Sequence, residues 1–349
     1  MKILHIDTGT VWRGGQRQVL TLHRGLIQNG IESLLLCNRA GALYQTCQKE
    51  NVPACHSFDF YGEFSGETRA QIKQEVEQFT PSIIHCHDSH SVKLGGRFHR
   101  THTLFHTRRV SYPIKFLSRY FKYRNISMHI CVSEDIRQYM QQHFDHTTTI
   151  HSCVDLSRFD LPSNPSIFNN PGKVNLLYVG AFTEQKGIDV LIQAFARIHT
   201  QHPDVTLPLV GGGALFTEMK QLIHTLNIQN QTVLYGARTD VEDFYLSSDV
   251  VICPSVSGEG SSGDIKEGLA AGKRVIASNL TANKELIDDR INGILFQNRS
   301  DESLAQTLEL ALSGNPFISI ESIKQKVNQF DCSNTIQQHI DLYHRTLNQ

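Results

Sequence analysis

The strongest constraint on the fold is an alternation of short apolar runs with helical patterns, which continues through almost the whole chain. The runs are rich in β-branched residues and lie at Lys2–Ile6, Ile83–His87, Met128–Val132, Val174–Val179, Val205–Val210, Val250–Cys253 and Arg274–Ala277. Such runs are typical of buried parallel strands. Between them apolar residues recur at helical spacing, as at Ile188, Leu191, Ile192 and Phe195. The pattern predicts an α/β doubly wound architecture, whose ligands bind at the carboxyl ends of the strands.

The length of 349 residues exceeds what one hydrophobic core usually supports, so we expect two domains. The segment 160–173 contains three prolines, three asparagines and a glycine, and these interrupt any regular period. We therefore predict an N-terminal domain over 1–160, a linker over 161–173 and a C-terminal domain over 174–325. We expect the residues 326–349 to form a helix that returns toward the N-terminal domain.

Charge and apolar content exclude several classes of protein. There are 33 Lys and Arg against 34 Asp and Glu, a formal charge of -1, which argues against coating nucleic acid by bulk charge. No run approaches the 18 or so apolar residues that span a bilayer. The first residues resemble a strand rather than a signal peptide, and the eight cysteines form no C-x-x-C pair. We expect a cytoplasmic protein with reduced thiols and at most peripheral membrane contact.

Five stretches of the C-terminal half carry a family resemblance. In order they read LLYVGAFTEQKGIDVLIQAF, PLVGGG, YGARTDVEDFYLSSDVVICPS, EGSSGDIKEGLAAGKRVIAS and ELIDDRINGILF. Their order and spacing resemble the donor domain of retaining family 4 glycosyltransferases with the GT-B fold. The N-terminal half adds weaker matches, namely a glycine pair at Gly14 and Gly15, IIHCHDSHS, CVSEDI and IHSCVDLSRF.

The resemblance implies two Rossmann-like domains that face a central cleft, an acceptor-side N-terminal domain and a nucleotide-sugar donor domain. It implies a retaining transfer without an enzyme nucleophile, by front-face attack in which the leaving phosphate helps to deprotonate the acceptor hydroxyl. The segment HTRRVSYP is similar to members of the lipopolysaccharide-core type.

An acidic pair and a small-residue turn are the first candidates for the donor site. Gly260, Ser261, Ser262 and Gly263 precede a helical pattern, and a helix N-terminus presents backbone N–H groups to a diphosphate. By the resemblance, Glu267 would accept hydrogen bonds from the ribose, and Glu259 would contact hydroxyls of the transferred sugar. The alternative is that one glutamate caps the helix and the other is solvated.

Lys186 follows the strand that ends near Gly180, where a cation could neutralise the diphosphate and the developing charge of the leaving group. The alternative is an ordinary exposed lysine. Family members usually have Arg where this chain has Ala181, so Arg13 or Arg238 could compensate. Gly236 and Arg238 lie in a segment that we expect near the nucleotide.

Two histidines and a glycine are candidates in the N-terminal half. His106 resembles the strand-end histidine that many family members place beside the reacting sugar carbon, and we predict it to be catalytic. His90 is a candidate on the acceptor side, and Gly15 could let backbone approach a phosphate or sugar; a plain tight turn is the alternative. His85, His87, Asp88 and His90 lack a second ligand cluster, and there is no Asp-x-Asp motif, so we expect no metal and no cofactor.

A long window without acidic residues separates Asp88 from Glu134. It holds nine cations interleaved with aromatic rings, and the cations are Lys93, Arg97, Arg100, Arg108, Arg109, Lys115, Arg119, Lys122 and Arg124. We select Arg108, Arg109, Arg119 and Lys122 as an acceptor-side or membrane-facing surface, since such a patch attracts anionic groups. No nucleic-acid motif accompanies it, and a solvated face remains the alternative.

These observations together predict a metal-independent retaining glycosyltransferase of hexosyl or heptosyl type. Its partners would be a nucleotide-diphosphate sugar and an anionic glycan or lipid-linked acceptor, at the inner face of the membrane and in lipopolysaccharide or cell-envelope synthesis. Two alternatives stay open: another GT-B enzyme, such as a sugar phosphorylase or nucleotide-sugar epimerase, and a non-catalytic nucleotide-sugar-binding module.

Overall fold

The computed structural model describes residues 1–162, 164–168, 170, 172–313 and 319–348. Contacts between Cα atoms divide the chain into two units. The N-terminal unit comprises Met1–Ser152 and the residues from Cys332 onward, and the C-terminal unit comprises Cys153–Asp331. Each unit is built on its own parallel sheet, so the predicted pair of doubly wound domains is confirmed.

Seven strands form the sheet of the N-terminal unit in the order β3-β2-β1-β4-β5-β6-β7, and six form that of the C-terminal unit in the order β10-β9-β8-β11-β12-β13. Their bounds are β1 Lys2–Asp7, β2 Glu32–Asn38, β3 Cys55–Phe58, β4 Ile83–Cys86, β5 Thr103–Arg108, β6 Met128–Cys131, β7 Thr147–Thr149, β8 Val174–Val179, β9 Val205–Val210, β10 Thr232–Gly236, β11 Val250–Cys253, β12 Arg274–Ser278 and β13 Ile294–Phe296.

Helices cover both faces of each sheet. Their bounds are α1 Gly14–Gln28, α2 Ala42–Lys49, α3 Gly66–Phe79, α4 Ser89–Gly95, α5 Phe116–Ser118, α6 Glu134–Gln141, α7 Ile188–Ile198, α8 Phe216–Thr225, α9 Val241–Ser247, α10 Gly263–Ala270, α11 Thr281–Lys284, α12 Asp301–Leu312, α13 Ile320–Asn328 and α14 Cys332–Leu347. A π-helical turn, Arg119–Tyr123, directly follows α5. None of the described helices is long and apolar enough to cross a membrane.

The predicted strands agree closely with the observed ones. β8, β9 and β11 have the predicted bounds, β1 and β12 are each one residue longer, and β4 and β6 each end one residue earlier. Successive residues of a strand point to opposite faces, and both faces are buried here. Ile3 packs toward α1 and α14, whereas its neighbour Leu4 packs toward α3 and α6.

The segment predicted as a linker packs against the C-terminal unit. Phe168 of this segment, and Phe159 just before it, are buried in one apolar cluster with Phe244 and Tyr245. The division between the units therefore falls after Ser152, before the proline-rich segment, because that segment contains aromatic anchors. Residues 163, 169 and 171 of the predicted linker lie outside the described residues. The C-terminal helix α14 lies in the N-terminal unit.

Candidate active site

The direction of the strand order reverses in the C-terminal unit between β8 and β11. The two strands are hydrogen-bonded neighbours, with Val250 opposite Leu176. In an open parallel sheet, the loops that leave such neighbours go to opposite faces and open a crevice at the carboxyl edge. The segments after Val179 and after Cys253 therefore border the expected ligand site of this unit.

Glycines allow the loops at this edge to lie close together. A Cβ atom at position 211 would lie 1.8 Å from the carbonyl oxygen of Gly180, and Gly211 also has a φ of +142°. The Gly180 N–H donates to the carbonyl of Val210 at 3.0 Å, and the Gly211 N–H donates to that of Gly236 at 2.8 Å. Two of the predicted donor-site residues, Gly180 and Gly236, are thus held in one backbone network.

Lys186 lies between two carboxylates. Its Nζ is 2.9 Å from Glu259 Oε1 and 3.0 Å from Asp264 Oδ2. The side chain of Lys186 is 20% exposed, and those of Glu259 and Asp264 are 9% and 8% exposed. The alternative of an ordinary exposed lysine is therefore wrong, because this lysine is largely enclosed and paired twice.

The pairing fixes the charge states of Lys186 and Glu259. Burial lowers the pKa of Lys186, but the charges of Asp264 and Glu259 outweigh burial and raise the pKa well above its usual value. Burial raises the pKa of Glu259, but the Lys186 charge and hydrogen bonds from Lys186 and Ser255 leave it below its usual value. Both groups are consequently charged at neutral pH.

The turn Gly260–Gly263 leads directly into α10, which begins at Gly263. The side chain of the preceding Ser262 does not cap the helix; its Oγ donates to Asn283 Oδ1 at 2.9 Å. Lys266, on the same helix, is 1% exposed and donates to Ser261 Oγ at 2.5 Å. Because Asp264 in the first turn of α10 pairs with Lys186, the positive dipole end of the helix lies beside Lys186, where an anion would be stabilised.

Glu267 lies one turn further along α10, within a second charged network. Arg158 Nη1 donates to Glu267 Oε1 at 3.2 Å, and Arg158 Nε donates to Glu242 Oε1 at 2.6 Å. The nearby Tyr245 is fully enclosed, and burial together with the Glu267 charge raises the pKa of its hydroxyl. The alternative that Glu267 is a solvated charge is therefore wrong, since its side chain is 15% exposed and paired.

Neither arginine expected to compensate for Ala181, Arg13 or Arg238, is held in place for a phosphate in the described structure. Ala181 is exposed, and its carbonyl accepts from Tyr178 Oη at 2.9 Å. Arg238 donates to both oxygens of Asp240, at 2.8 and 2.6 Å, and its guanidinium lies over Phe244. Arg13 belongs to the other unit and is exposed.

The N-terminal unit repeats the reversal of strand order, between β1 and β4. Asp88, just after β4, accepts from the Thr8 backbone N–H and the Thr8 hydroxyl, both at 2.8 Å. A Cβ atom at position 15 would contact Arg109 Cδ at 3.4 Å. The structure therefore brings together Gly15 and Arg109 near this second reversal point.

A group of buried histidines lies beneath this edge. His5 Nδ1 and His87 Nε2 are 2.9 Å apart, and His85 is bonded to Tyr343 Oη and Thr107 Oγ1, each at 2.7 Å. Burial lowers the pKa of His5, His85 and His87 well below the usual value. Nitrogen atoms of these three rings all lie within 4.8 Å of one another. The group is a neutral hydrogen-bonded network.

His106 is 3% exposed and packs beside Tyr123, with its Nδ1 3.1 Å from His129 Nδ1. This burial does not fit direct contact with a sugar. His87 directly follows β4, and its Nδ1 lies 3.4 Å from Arg109 Nη2.

The cationic window of the sequence is partly neutralised by an acid from outside it. Glu63 pairs with Lys122 at 2.6 Å and with His90 at 2.8 Å. Arg108 is buried, donates to the Tyr112 carbonyl and lies over the Tyr139 ring. Arg119 Nη1 is 3.3 Å from His143 Nδ1. Only part of the predicted patch is therefore available to an anion.

An exposed part of the window remains around α5. Its large apolar side chains are between 59% and 70% exposed, namely Phe116, Leu117, Tyr120 and Phe121. Lys115 and Arg124 are also exposed beside them. The combination of exposed rings and cations is suited to an anionic amphipathic surface.

Asp264, Arg158 and His87 were not selected from the sequence. Asp264 is the residue after Gly263, and its position in the first turn of α10 was a detectable signal. His87 could have been found as the residue after a predicted central strand. Arg158 lies within the matched stretch IHSCVDLSRF, but its pairing could not be foreseen, since its partners Glu242 and Glu267 are 84 and 109 positions away.

Two family models match the chain. The model "Glycosyl transferases group 1" matches residues 163–328, and the model "Glycosyltransferase Family 4" matches residues 12–158. Together they cover most of the chain, including every strand except β1.

Two curated relatives match most of the chain. An uncharacterized glycosyltransferase of Methanocaldococcus jannaschii is 24% identical over 308 residues, which cover 84% of this chain and 75% of the relative. The alpha-monoglucosyldiacylglycerol synthase of Streptococcus pneumoniae is 23% identical and covers 83% of this chain and 73% of its own. For other relatives the match spans about half of their length, as for a second M. jannaschii glycosyltransferase at 51%.

Solved structures share the fold over the full length. HepE of Anabaena, in complex with UDP, has a TM-score of 0.87 at 19% identity and covers 99% of this chain and 100% of its own. The lipopolysaccharide outer core galactosyltransferase WaaB, in its apo form, has a TM-score of 0.77 at 16% identity and covers 98% of each chain. These likenesses confirm the GT-B architecture.

Proposed function

Because the chain belongs to the family 4 glycosyltransferases and has the GT-B fold, we propose that it transfers a sugar with retention from a nucleotide-diphosphate donor. The observation that carries the proposal is the pairing of Lys186 with Glu259 at 2.9 Å, between β8 and β11. A charged lysine, a charged carboxylate and a helix N-terminus meet there. This combination is suited to a ligand that has both phosphates and hydroxyls.

Each of these groups has a role in the proposed site. Lys186 and the N-terminus of α10 hold the diphosphate and stabilise the charge that develops on it. Glu259 accepts hydrogen bonds from hydroxyls of the transferred sugar. Glu267, which Arg158 holds in place at 3.2 Å, accepts from the ribose. Gly180 and Gly236 keep the neighbouring backbone close enough to border the nucleotide.

The proposed reaction needs no enzyme nucleophile. The acceptor oxygen attacks the anomeric carbon from the side that the diphosphate leaves, so one C–O bond forms as the other breaks. The acceptor proton passes to the departing diphosphate oxygen, and the products are the glycoside and the nucleoside diphosphate. Lys186 stabilises the leaving group electrostatically, in the place where other enzymes use a metal ion.

The donor to test first is UDP-linked. HepE was crystallised with UDP, with UDP and glucose, and with UDP-glucose. A hexose or a heptose fits the proposal, and Glu259 is the group on which the choice of sugar depends.

We further propose an anionic glycan or lipid-linked acceptor of the cell-envelope or lipopolysaccharide type, reached from the cytoplasmic face of a membrane. The exposed rings and cations around α5 support peripheral contact with such a surface. The names of two similar proteins, a diacylglycerol glucoside synthase and a lipopolysaccharide galactosyltransferase, are consistent with this class. Arg109 and His87 would contact the acceptor, and the buried His106 would act only by supporting neighbouring rings.

A second candidate function is nucleotide-sugar binding without transfer. It is favoured by Ala181, which removes a cation that family members have, and by Asp264, which pairs with Lys186 at 3.0 Å. Both features lower the positive potential available to a diphosphate.

A ligand panel followed by a transfer assay separates the two. Thermal shift with UDP, GDP, ADP and CMP sugars should identify one base, because a bound ligand raises Tm by mass action. Release of nucleoside diphosphate with an acceptor extract, and an NMR spectrum that shows a retained anomeric configuration, would support transfer. Binding without turnover, equal in wild type and the Lys186→Ala variant, would favour the binding module. Lys220→Ala, an exposed lysine of the same unit, is the matched control.

A further inference from the structure

Three cysteines meet at the edge of the N-terminal sheet. Cys37 lies on β2, Cys55 on the edge strand β3, and Cys47 on α2, which packs over them. Their three sulfur atoms all lie within 4.8 Å of one another, and Cys37 Sγ and Cys55 Sγ are 4.0 Å apart. From the sequence we expected only reduced thiols, because no C-x-x-C pair marks these three cysteines as a group.

The spacing of the sulfur atoms is suited to a metal ion. Metal–thiolate bonds are about 2.3 Å long, so three thiolates around one central ion lie about 4.0 Å apart. The distance between Cys37 and Cys55 already has this value. A disulfide, in contrast, would require the two sulfur atoms to approach to about 2.05 Å.

The triad can be reached from one side. Cys37 and Cys47 are each 1% exposed, whereas Cys55 is partly exposed. An ion could therefore enter from the side of Cys55 and be enclosed by the other two.

The chemistry of the ligands selects the ion. Structural zinc sites almost always have four ligands. Among the described residues the group contains these three cysteines and no fourth His, Cys, Asp or Glu. The neighbouring His23 is already bonded through both ring nitrogens, to Ser33 Oγ at 2.7 Å and to the Pro53 carbonyl at 2.9 Å. Three soft ligands without a fourth suit monovalent copper, which thiolates prefer.

We propose that Cys37, Cys47 and Cys55 form a binding site for one Cu(I) ion. The ion binds as Cu(I) without a change of oxidation state, and the thiols release their protons to solvent as the Cu–S bonds form. Bound copper would connect the edge strand β3 to β2 and α2. It would thereby stabilise the N-terminal unit, at a place separate from the residues proposed for the donor.

The test is a competition for Cu(I) in the reduced full-length chain under anaerobic conditions. Copper is supplied as its acetonitrile complex, and bicinchoninate serves as the coloured competitor. We expect one Cu(I) per chain to resist the competitor, a copper-dependent rise in Tm and an X-ray absorption spectrum with three sulfur neighbours. The variants Cys47→Ser and Cys55→Ser should each lower the affinity at least tenfold.

The matched control is Cys131→Ser, which changes a buried cysteine of the same unit outside the triad and should retain the copper. Circular dichroism establishes whether each variant is folded. If Cys47→Ser is unfolded, the copper affinity of Cys55→Ser tests the proposal, since Cys55 is partly exposed and its replacement disturbs the core less. Failure to retain copper, equal retention in Cys55→Ser and wild type, or tight Zn²⁺ binding without Cu(I) binding would overturn the proposal.

Discussion

Replacement of Lys186 by alanine is the most informative perturbation of the candidate site. Lys186 pairs with Glu259 at 2.9 Å and with Asp264 at 3.0 Å, and all three side chains are largely enclosed. The alanine variant removes the cation and leaves two buried carboxylates side by side. Both folding and turnover should therefore suffer.

The expected magnitude follows from the pairing. Loss of one partner of a buried ion pair costs about 3 to 5 kcal/mol of folding free energy, since the remaining charge is uncompensated. Loss of one preorganised electrostatic contact in a transition state lowers kcat about 100- to 1,000-fold. The folding cost should depend on pH. Because the pKa of Glu259 is lowered in the folded protein, its pairing stabilises the fold above the unfolded pKa and is lost as pH falls through the folded value.

The assay is urea unfolding followed by far-UV circular dichroism, with donor turnover measured in parallel. Circular dichroism is used because it follows the secondary structure of both units, whereas Trp12, the single tryptophan, belongs to the N-terminal unit. The difference in unfolding free energy between wild type and Lys186→Ala should be largest near pH 7 and should shrink toward pH 4. Lys220→Ala should change stability by less than about 0.5 kcal/mol.

A double-mutant cycle separates the ion pairs from general damage. Addition of Asp264→Asn to Lys186→Ala removes one of the two unpaired carboxylates, so it should recover part of the lost stability at pH 7. If Lys186→Ala unfolds like wild type at every pH, the enclosed pairing has no energetic role. If the second substitution worsens stability additively, the two charges are not coupled.

Four further results are expected. Glu267→Gln should weaken nucleotide binding, and Glu259→Gln should mainly slow transfer, each about tenfold to a hundredfold. Titration calorimetry with UDP and turnover assays measure the two effects, and an equal loss of UDP affinity in both variants would contradict this division. Transfer should survive EDTA; loss with the chelator and recovery with Mg²⁺ would show that a metal is required. Binding to anionic vesicles should weaken as salt rises from about 0.05 to 0.5 M, and it should also weaken with the double charge reversal Lys115→Glu and Arg124→Glu, while the affinity for the donor stays constant. If neither the salt nor the double variant changes vesicle binding, the α5 surface is not the membrane contact. Asp264→Asn alone should strengthen UDP binding in calorimetry, and a weaker affinity would mean that Asp264 instead positions Lys186.

Most of the fold could be predicted because buried parallel strands have a distinct local pattern. β8, β9 and β11 were predicted to the residue, since each is a short, mostly apolar run that begins after a charged residue and ends before glycine or proline. The proline-rich segment 160–173 was misjudged because composition reports local backbone preference and not packing. Phe168, in this segment, and Phe159, just before it, contact residues more than 70 positions later, in α9.

The candidate site could be predicted where the motif itself contains the chemistry. Lys186, Glu259 and Glu267 all lie at the carboxyl edge or on the helix that follows it, as the motif order indicated. What could not be predicted was pairing across sequence distance. Glu63 lies outside the cationic window, and yet it neutralises Lys122 and contacts His90. His106 has the right place in the motif, but its side chain points into the core beside His129.

The charges around Lys186 set how the proposed donor must be bound. One lysine against Glu259 and Asp264 gives the trio a formal charge of -1, and the Arg of other family members is replaced by Ala181. A diphosphate therefore gains little from the trio as it stands, and the N-terminus of α10 supplies only about half a positive charge. For the phosphates to be held, Lys186 must exchange Asp264 for the ligand while it keeps Glu259. The same exchange would bring Lys186 to the leaving diphosphate, and it would release Asp264 from Lys186 only when a donor is present. The stabilisation of the leaving group by Lys186 would thus be coupled to donor binding.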